Sequence, residues 1–354
     1  MSSCTFDTVW PADSVEFCPH PDAYSFFVCG TYNLEKNEGA ALEEADAAKK
    51  PQVRRGKCAL FEVDSDDKLS MLHDVQLPAV LDMKWCHRDM SATPLLGVAD
   101  SEATDNRLQK SLRQLGRIEC ATSDVLCLSL DWSNRKNPTS TLGDLVVSLS
   151  DGSLSLLQPH EGGLSVTESW HAHDYEPWIA AWNYWDTNVV YSGGDDLTMK
   201  GWDIRQDFSQ PTFTNRRFDA GVTTIQSHPF REHLIAVGSY NDTVYLFDTR
   251  GPLKPLIQTN VGGGAWRVKW HPSPHRANDL LVACMHDGCK VLRFDMSGGG
   301  DAMHTMGGET EVIRRLDEHE SMAYGADWSY ADTGDEGIIA SCSFYDHKLC
   351  LWKG

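Results

Sequence analysis

Three aromatic residues stand at one recurring place in this sequence. Trp178, Trp266 and Tyr324 each lie four residues before an aromatic residue that ends a short apolar run: Trp182, Trp270 and Trp328. Aromatic faces around a pocket attract alkylated ammonium groups, at about 0.5–2 kcal/mol per ring. The same rings can also serve as packing between repeats, and both readings stand. Polar groups flank them. His173-Asp174-Tyr175-Glu176 precedes Trp178, and Gly262-Gly263-Gly264-Ala265 precedes Trp266-Arg267. Gly263 and Gly264 would let backbone N–H groups approach a ligand closely, or would permit a tight crossing loop. Arg267 can hold a carboxylate with two parallel hydrogen bonds, or form an ion pair on an acidic surface. His286 and the pair Asp346-His347 fall in hairpin turns and are further candidates.

Another set imitates a hydrolase triad. Ser192, Asp196 and Trp202, with His171 or His173 upstream, can form a chain from carboxylate to imidazole to hydroxyl to indole N–H. Every donor in that chain has an acceptor, so it can be buried at little cost, and it reads as structural. His171-Ala172-His173 lacks the carboxylate or cysteine spacing of a metal site. The sequence has no GxSxG, HExxH, P-loop or GxGxxG motif. No metal and no cofactor are expected.

The elements that would position these residues are short strands. An apolar or aromatic strand end followed by a polar turn recurs at Phe17, Trp85, Trp132, Trp182, Ser227, Trp270 and Trp328, at intervals of 43 to 68 residues. Such a period, with Gly201-Trp202-Asp203 closing one repeat, points to an all-β, seven-bladed WD40 β-propeller. One domain over 1–354 is expected, with a mobile insertion at 33–56 and a Gly-rich loop at 297–311. The last blade lacks a fourth strand. Cys4 to Trp10 alternates properly to supply it, so the N-terminal strand should close the ring.

Composition agrees. The 354 residues include 12 Trp and carry a formal net charge of −20. That charge repels a nucleic-acid backbone and suits a basic protein partner. The 11 cysteines form no CxxC pair and read as reduced, buried residues. With no signal-peptide pattern and no long apolar run, a cytoplasmic monomer is expected, with nuclear presence also open and no membrane association.

Several segments go beyond any generic blade pattern: His173-Asp174-Tyr175-Glu176-Pro177-Trp178, Gly262-Gly263-Gly264-Ala265-Trp266-Arg267, Tyr324-Gly325-Ala326-Asp327-Trp328 and Ser343-Phe344-Tyr345-Asp346-His347. In these the chain resembles the diphthine methyl ester hydrolase (diphthine methylesterase) family of diphthamide synthesis. Leu197 departs from the usual turn glycine. The resemblance implies a carboxylic ester hydrolase acting on elongation factor 2. Its substrate would be a modified histidine bearing a trimethylammonio-propyl carboxylate as its methyl ester, and its products methanol and diphthine for the final amidation. On that reading Trp178, Trp266 and Tyr324 would cradle the ammonium group. A histidine (His173, His286 or His347) would be the general base for water attack, oriented by Asp174 or Asp346, and Gly263 and Gly264 would face the oxyanion. A non-catalytic scaffold that binds elongation factor 2 or other pathway proteins is the alternative.

Overall fold

In the computed structural model, each landmark lies at or beside the end of an innermost strand. These strands are Ala12–Phe17, Val80–Cys86, Cys127–Trp132, Ile179–Trp182, Val222–Ser227, Arg267–Trp270 and Ala323–Trp328. The structure describes residues 4–35, 53–89, 91–102, 104–106, 112–296, 310–331, 334 and 336–354. The innermost strands lie side by side in chain order, and Ala323–Trp328 returns against Ala12–Phe17. The result is a closed ring of antiparallel blades around a central channel. Two short 3₁₀ turns, Pro21–Ala23 and Pro274–Arg276, are the helical elements among the described residues.

Six sheets have four strands and the one that starts at Ala12 has five. In the five-stranded sheet, Asn33–Leu34 pairs with Arg54–Arg55 and prolongs the edge made by Phe26–Thr31 along the strand Arg54–Val63. The stretch expected to be an insertion over 33–56 is therefore strand at both ends, and 36–52 lies outside the described residues. The strand escaped notice because Gly56 shares its buried face with Cys58, and a glycine leaves no apolar mark in a period-two pattern. Of the Gly-rich loop, 297–309 lies outside the described residues, while Thr310 and Glu311 already belong to the strand Thr310–Leu316. The last blade is completed by the N-terminus: Cys4–Asp7 pairs with Lys348–Leu351, Cys4 opposite Leu351.

The apolar cores sit between blades. Phe17, Phe27 and Phe61 pack against Cys342, Leu349 and Leu351, and Trp182 and Trp202 against Val146 and Leu154. In the first three blades the landmark and the residue two before it enter these cores, as Val15 and Phe17, Met83 and Trp85, and Leu130 and Trp132 do, and the charged residues between them, Glu16, Lys84 and Asp131, take the other face of the strand. Four of the five landmark indoles also latch their blade to the preceding one, while the Trp270 Nε1 is buried without a hydrogen-bond partner among the described residues. Trp85 donates to the Glu16 carbonyl at 3.2 Å, Trp132 to Lys84 at 3.0 Å, Trp182 to Asp131 at 3.0 Å and Trp328 to Lys269 at 3.0 Å. Where the landmark is Ser227, its hydroxyl makes the same contact to the Trp182 carbonyl at 3.1 Å. A buried donor in each of these repeats thus finds a backbone acceptor, which accounts for much of the wealth of tryptophan.

Candidate functional site

The residues four before each landmark share a backbone peculiarity. Asp13, Leu81, Leu128, Thr223 and Tyr324 are each the extra residue of a register shift in their innermost strand. Trp178 and Trp266 immediately precede theirs. A bulge leaves its extra residue unpaired and re-aims the side chain. Repeated around the ring, it sets these residues at one level, at the channel mouth where the chain enters each innermost strand.

On one side of this ring the aromatic groups meet. The Trp178 and Trp266 centroids are 5.4 Å apart, and those of Trp266 and Tyr324 4.8 Å. Tyr240 joins the arc 5.6 Å from Trp266, and Phe344 extends it 5.5 Å from Tyr324. All five rings are half-buried, so the arc presents aromatic surface to solvent. Trp178 is aimed by a hydrogen bond from its Nε1 to Asp195 Oδ1 at 2.8 Å. Tyr240 could not be aligned with the other rings from the sequence because it lies at the end of a different strand, beside the turn Asn241-Asp242.

Below the arc the channel holds a buried charge network. Lys84 contacts Asp82 at 2.6 Å and Glu16 at 3.0 Å, and Lys269 pairs with Glu16 and, at 3.4 Å, with Asp327. Arg267 reaches Asp82 at 3.2 Å. Arg267 is thus a channel residue, not a member of a surface ion pair. The carboxylates also hold the ring: Asp82 accepts the Leu130 N–H, Asp131 the Trp182 N–H and Asp327 the Phe17 N–H, each from the next blade. Asp13 differs. Its side chain is buried, and no hydrogen-bond partner is found for it among the described residues. Burial pushes its carboxyl up to about 7, although Arg267 draws it down.

Among the candidate bases, His173 is placed otherwise than expected. His173 is sealed in the blade: its Nδ1 meets Asp196 at 2.9 Å and its Nε2 meets Ser192 Oγ at 2.7 Å, while Trp202 Nε1 donates to Ser192 Oγ at 2.9 Å. Burial would raise the Asp196 carboxyl, but bonds from His173 and Thr198 hold it at about 2. With both nitrogens engaged and 1% of its surface exposed, His173 cannot reach a substrate. Asp196, not Asp174, orients it; Asp174 is exposed and only its backbone N–H approaches Asp196, at 3.4 Å. Asp346 accepts the Glu320 N–H at 2.8 Å and so secures the loop before Ala323; it makes no contact with the His347 ring. The His347 carbonyl accepts from the Thr8 N–H at 2.9 Å, which ties down the N-terminal strand. His286 is exposed on the turn that packs against the glycine loop. That packing explains the glycines: a Cβ on Gly263 would lie 2.0 Å from the Cys284 carbonyl oxygen, and one on Gly264 2.5 Å from Met285 Sδ.

A second sealed chain, in the last blade, has no counterpart among the sequence candidates. His319 Nε2 meets Ser341 Oγ at 2.8 Å, Trp352 Nε1 meets the same hydroxyl at 3.1 Å, and Ser343 stands on Nδ1 at 2.7 Å in place of a carboxylate. The similar separation of Ser341 from Trp352 and Ser192 from Trp202 was the available signal.

The fold and the mouth define the protein first as a WD40-like β-propeller with an aromatic site at one end of its channel. Its fold matches a chain of "Crystal Structure of Mitotic Checkpoint Complex" at a TM-score of 0.68 and 15% identity, covering 99% of this chain and 93% of that one. No family model matches. The human protein named diphthine methyltransferase is 40% identical over 92% of this chain and 74% of its own length. The Dictyostelium discoideum homolog is 36% identical over 97% and 96%, and the Schizosaccharomyces pombe protein 33% identical over 98% and 95%. The chain belongs to this diphthine methyltransferase family, the same family as the diphthine methyl ester hydrolases that its motifs resemble.

Proposed function

We propose that this protein hydrolyses the methyl ester of diphthine methyl ester on elongation factor 2, releasing methanol and leaving diphthine for amidation. The observation that carries the reading is the arc of Trp178, Tyr240, Trp266 and Tyr324 in a chain whose relatives are named for chemistry on diphthine. Diphthine carries a quaternary ammonium group, the cation that half-buried aromatic faces recognise through their quadrupoles. Its position at the open end of a channel suits a substrate presented on the surface of a large protein. The formal charge of −20 favours encounter with a basic partner surface.

The test is to incubate the purified chain with elongation factor 2 bearing the methyl ester. The modified peptide should lose the mass of one methylene group, with methanol released in equal amount. Trp266→Ala should raise KM roughly 5- to 30-fold, as expected for losing one cation–π face of about 1–2 kcal/mol. Binding without mass loss would leave the scaffold reading in its place, and an unchanged KM would remove the arc from the site.

A further inference from the structure

The bulge ring carries one ionisable side chain that the propeller does not use for its own closure. Asp82, Asp131 and Asp327 each accept a backbone N–H of the next blade, and Glu16 lies between Lys84 and Lys269. Replacing any of these would orphan a buried donor or cation. Asp13 has no such duty. It is more than nine-tenths buried, without a hydrogen-bond partner among the described residues, at the same bulge position that sends Tyr324 to the mouth in the adjacent blade. The strand Ala12–Phe17 packs directly against Ala323–Trp328, so Asp13 stands beside the Tyr324 end of the aromatic arc. Leu81 and Leu128 continue the ring on its other side as apolar wall.

We infer that Asp13 is the general base of the site, accepting a proton from the water that attacks the ester carbonyl, with Arg267 facing the developing oxyanion. This rests on the esterase reading above. The substrate holds its ammonium group and its ester within a few bonds, so rings that fix the ammonium bring the carbonyl to the level of Asp13. As the water oxygen bonds to the carbonyl carbon, one water proton passes to the Asp13 carboxylate and the carbonyl electron pair moves to oxygen. When the tetrahedral species collapses, the bond to the methoxy oxygen breaks and the proton on Asp13 passes to that oxygen, giving methanol. The product acid then ionises to solvent, and Asp13 is again a carboxylate. No metal, oxidant or second substrate is needed for the balance.

The electrostatics suit the role. Burial and Asp82 raise the carboxyl while Arg267 lowers it, and the outcome near 7 leaves it about half ionised at neutral pH, the condition for efficient proton transfer. The groups facing it are Arg267, Asp82 on the neighbouring innermost strand, Tyr240 and Tyr324 in the arc, and the Cys342 thiol.

The experiment compares the wild-type chain with Asp13→Asn and Asp13→Ala on ester-bearing elongation factor 2 between about pH 5.5 and 9, a range that brackets the expected ionisation. For Asp13→Asn, kcat should fall roughly 100-fold or more while KM stays within about threefold. The wild-type kcat/KM should rise through a limb near pH 7 that the variant's residual rate lacks, and added formate should restore part of the Asp13→Ala rate. A kcat for Asp13→Asn within threefold of wild type would overturn the assignment. So would a loss confined to KM, which would make Asp13 a ligand for the ammonium group. A wild-type chain that releases no methanol would instead overturn the esterase reading, and this inference with it. Formate rescue reports on the base even if the amide variant folds poorly.

Discussion

The burial that suits Asp13 for proton transfer should work against the fold. Its folded-state carboxyl is raised to about 7 from an ordinary 3.8. A carboxyl raised in this way leaves the fold unpenalised below about pH 4, where it is protonated in both states. Ionisation is favoured only in the unfolded chain as pH climbs from about 4 to about 7, and stability is lost over that window. Each tenfold change in the carboxyl's acidity corresponds to about 1.4 kcal/mol. Asp13→Asn should therefore melt higher than wild type at pH 8, with the gain shrinking as pH falls and gone near pH 4. Thermal melts at closely spaced pH values would show it; a pH-independent difference would mean that Asp13 is ionised at little cost. Such a gain beside a loss of turnover is the trade expected at a working site. His173 shows the opposite case: a titratable residue whose partners are all internal, and so one that serves the blade.

At the scale of the element, the unit is the blade, and the chain through His173, Ser192, Asp196 and Trp202 tests it. Ser192 is fully buried and accepts from Trp202 while meeting His173. Ser192→Ala leaves the indole N–H and one ring nitrogen without partners, at a cost of about 1–3 kcal/mol each. The variant should melt lower and keep its specific activity at temperatures where it is folded; turnover lost with unchanged melting would move the chemistry into this chain. The components of that chain were legible in the residues from Tyr191 to Asp203, because hydroxyl, carboxylate and indole occur at fixed separations along a hairpin. So were the landmarks, since an aromatic strand end recurs in most blades. The bulges were not, because an extra residue in a strand leaves no mark in a hydrophobic pattern and shows only in the pairing register. Without the bulge, Asp13 was one of four unlike residues aligned with three aromatic ones; with it, Asp13 belongs to the same ring. Leu197 was legible as a departure from glycine, and the backbone there does take a left-handed turn, with φ of 59°. The burial of His173 was not legible, because sequence shows a histidine near an aromatic residue but not whether its ring turns to the mouth or into the blade.

For the whole molecule, the decisive contact is between the two ends of the chain. Cys4–Asp7 covers the outer edge of Lys348–Leu351, and Phe6 packs edge-on against Phe61 of the first blade at 5.1 Å. Thr8 adds hydrogen bonds from its N–H and hydroxyl to the His347 carbonyl. Deleting residues 1–10 would expose that edge and remove one packed aromatic ring and several backbone hydrogen bonds. At about 2–3 kcal/mol for the ring and about 1 kcal/mol for each bond, the loss is on the order of 5 kcal/mol. The truncated chain should melt lower by several degrees, and a peptide spanning residues 1–10 added in excess should raise the melt again by mass action. The site should feel the deletion as well. Asp13 stands at the start of the first blade and Tyr324 at the start of the last, so the strand that ties those blades also holds the base against the aromatic arc. Below its melting temperature, the truncated chain should show a lower kcat than wild type, restored by the same peptide. A truncation that melts with the full chain would mean that the innermost strands alone close the ring; one that melts lower but turns over normally would separate closure from catalysis.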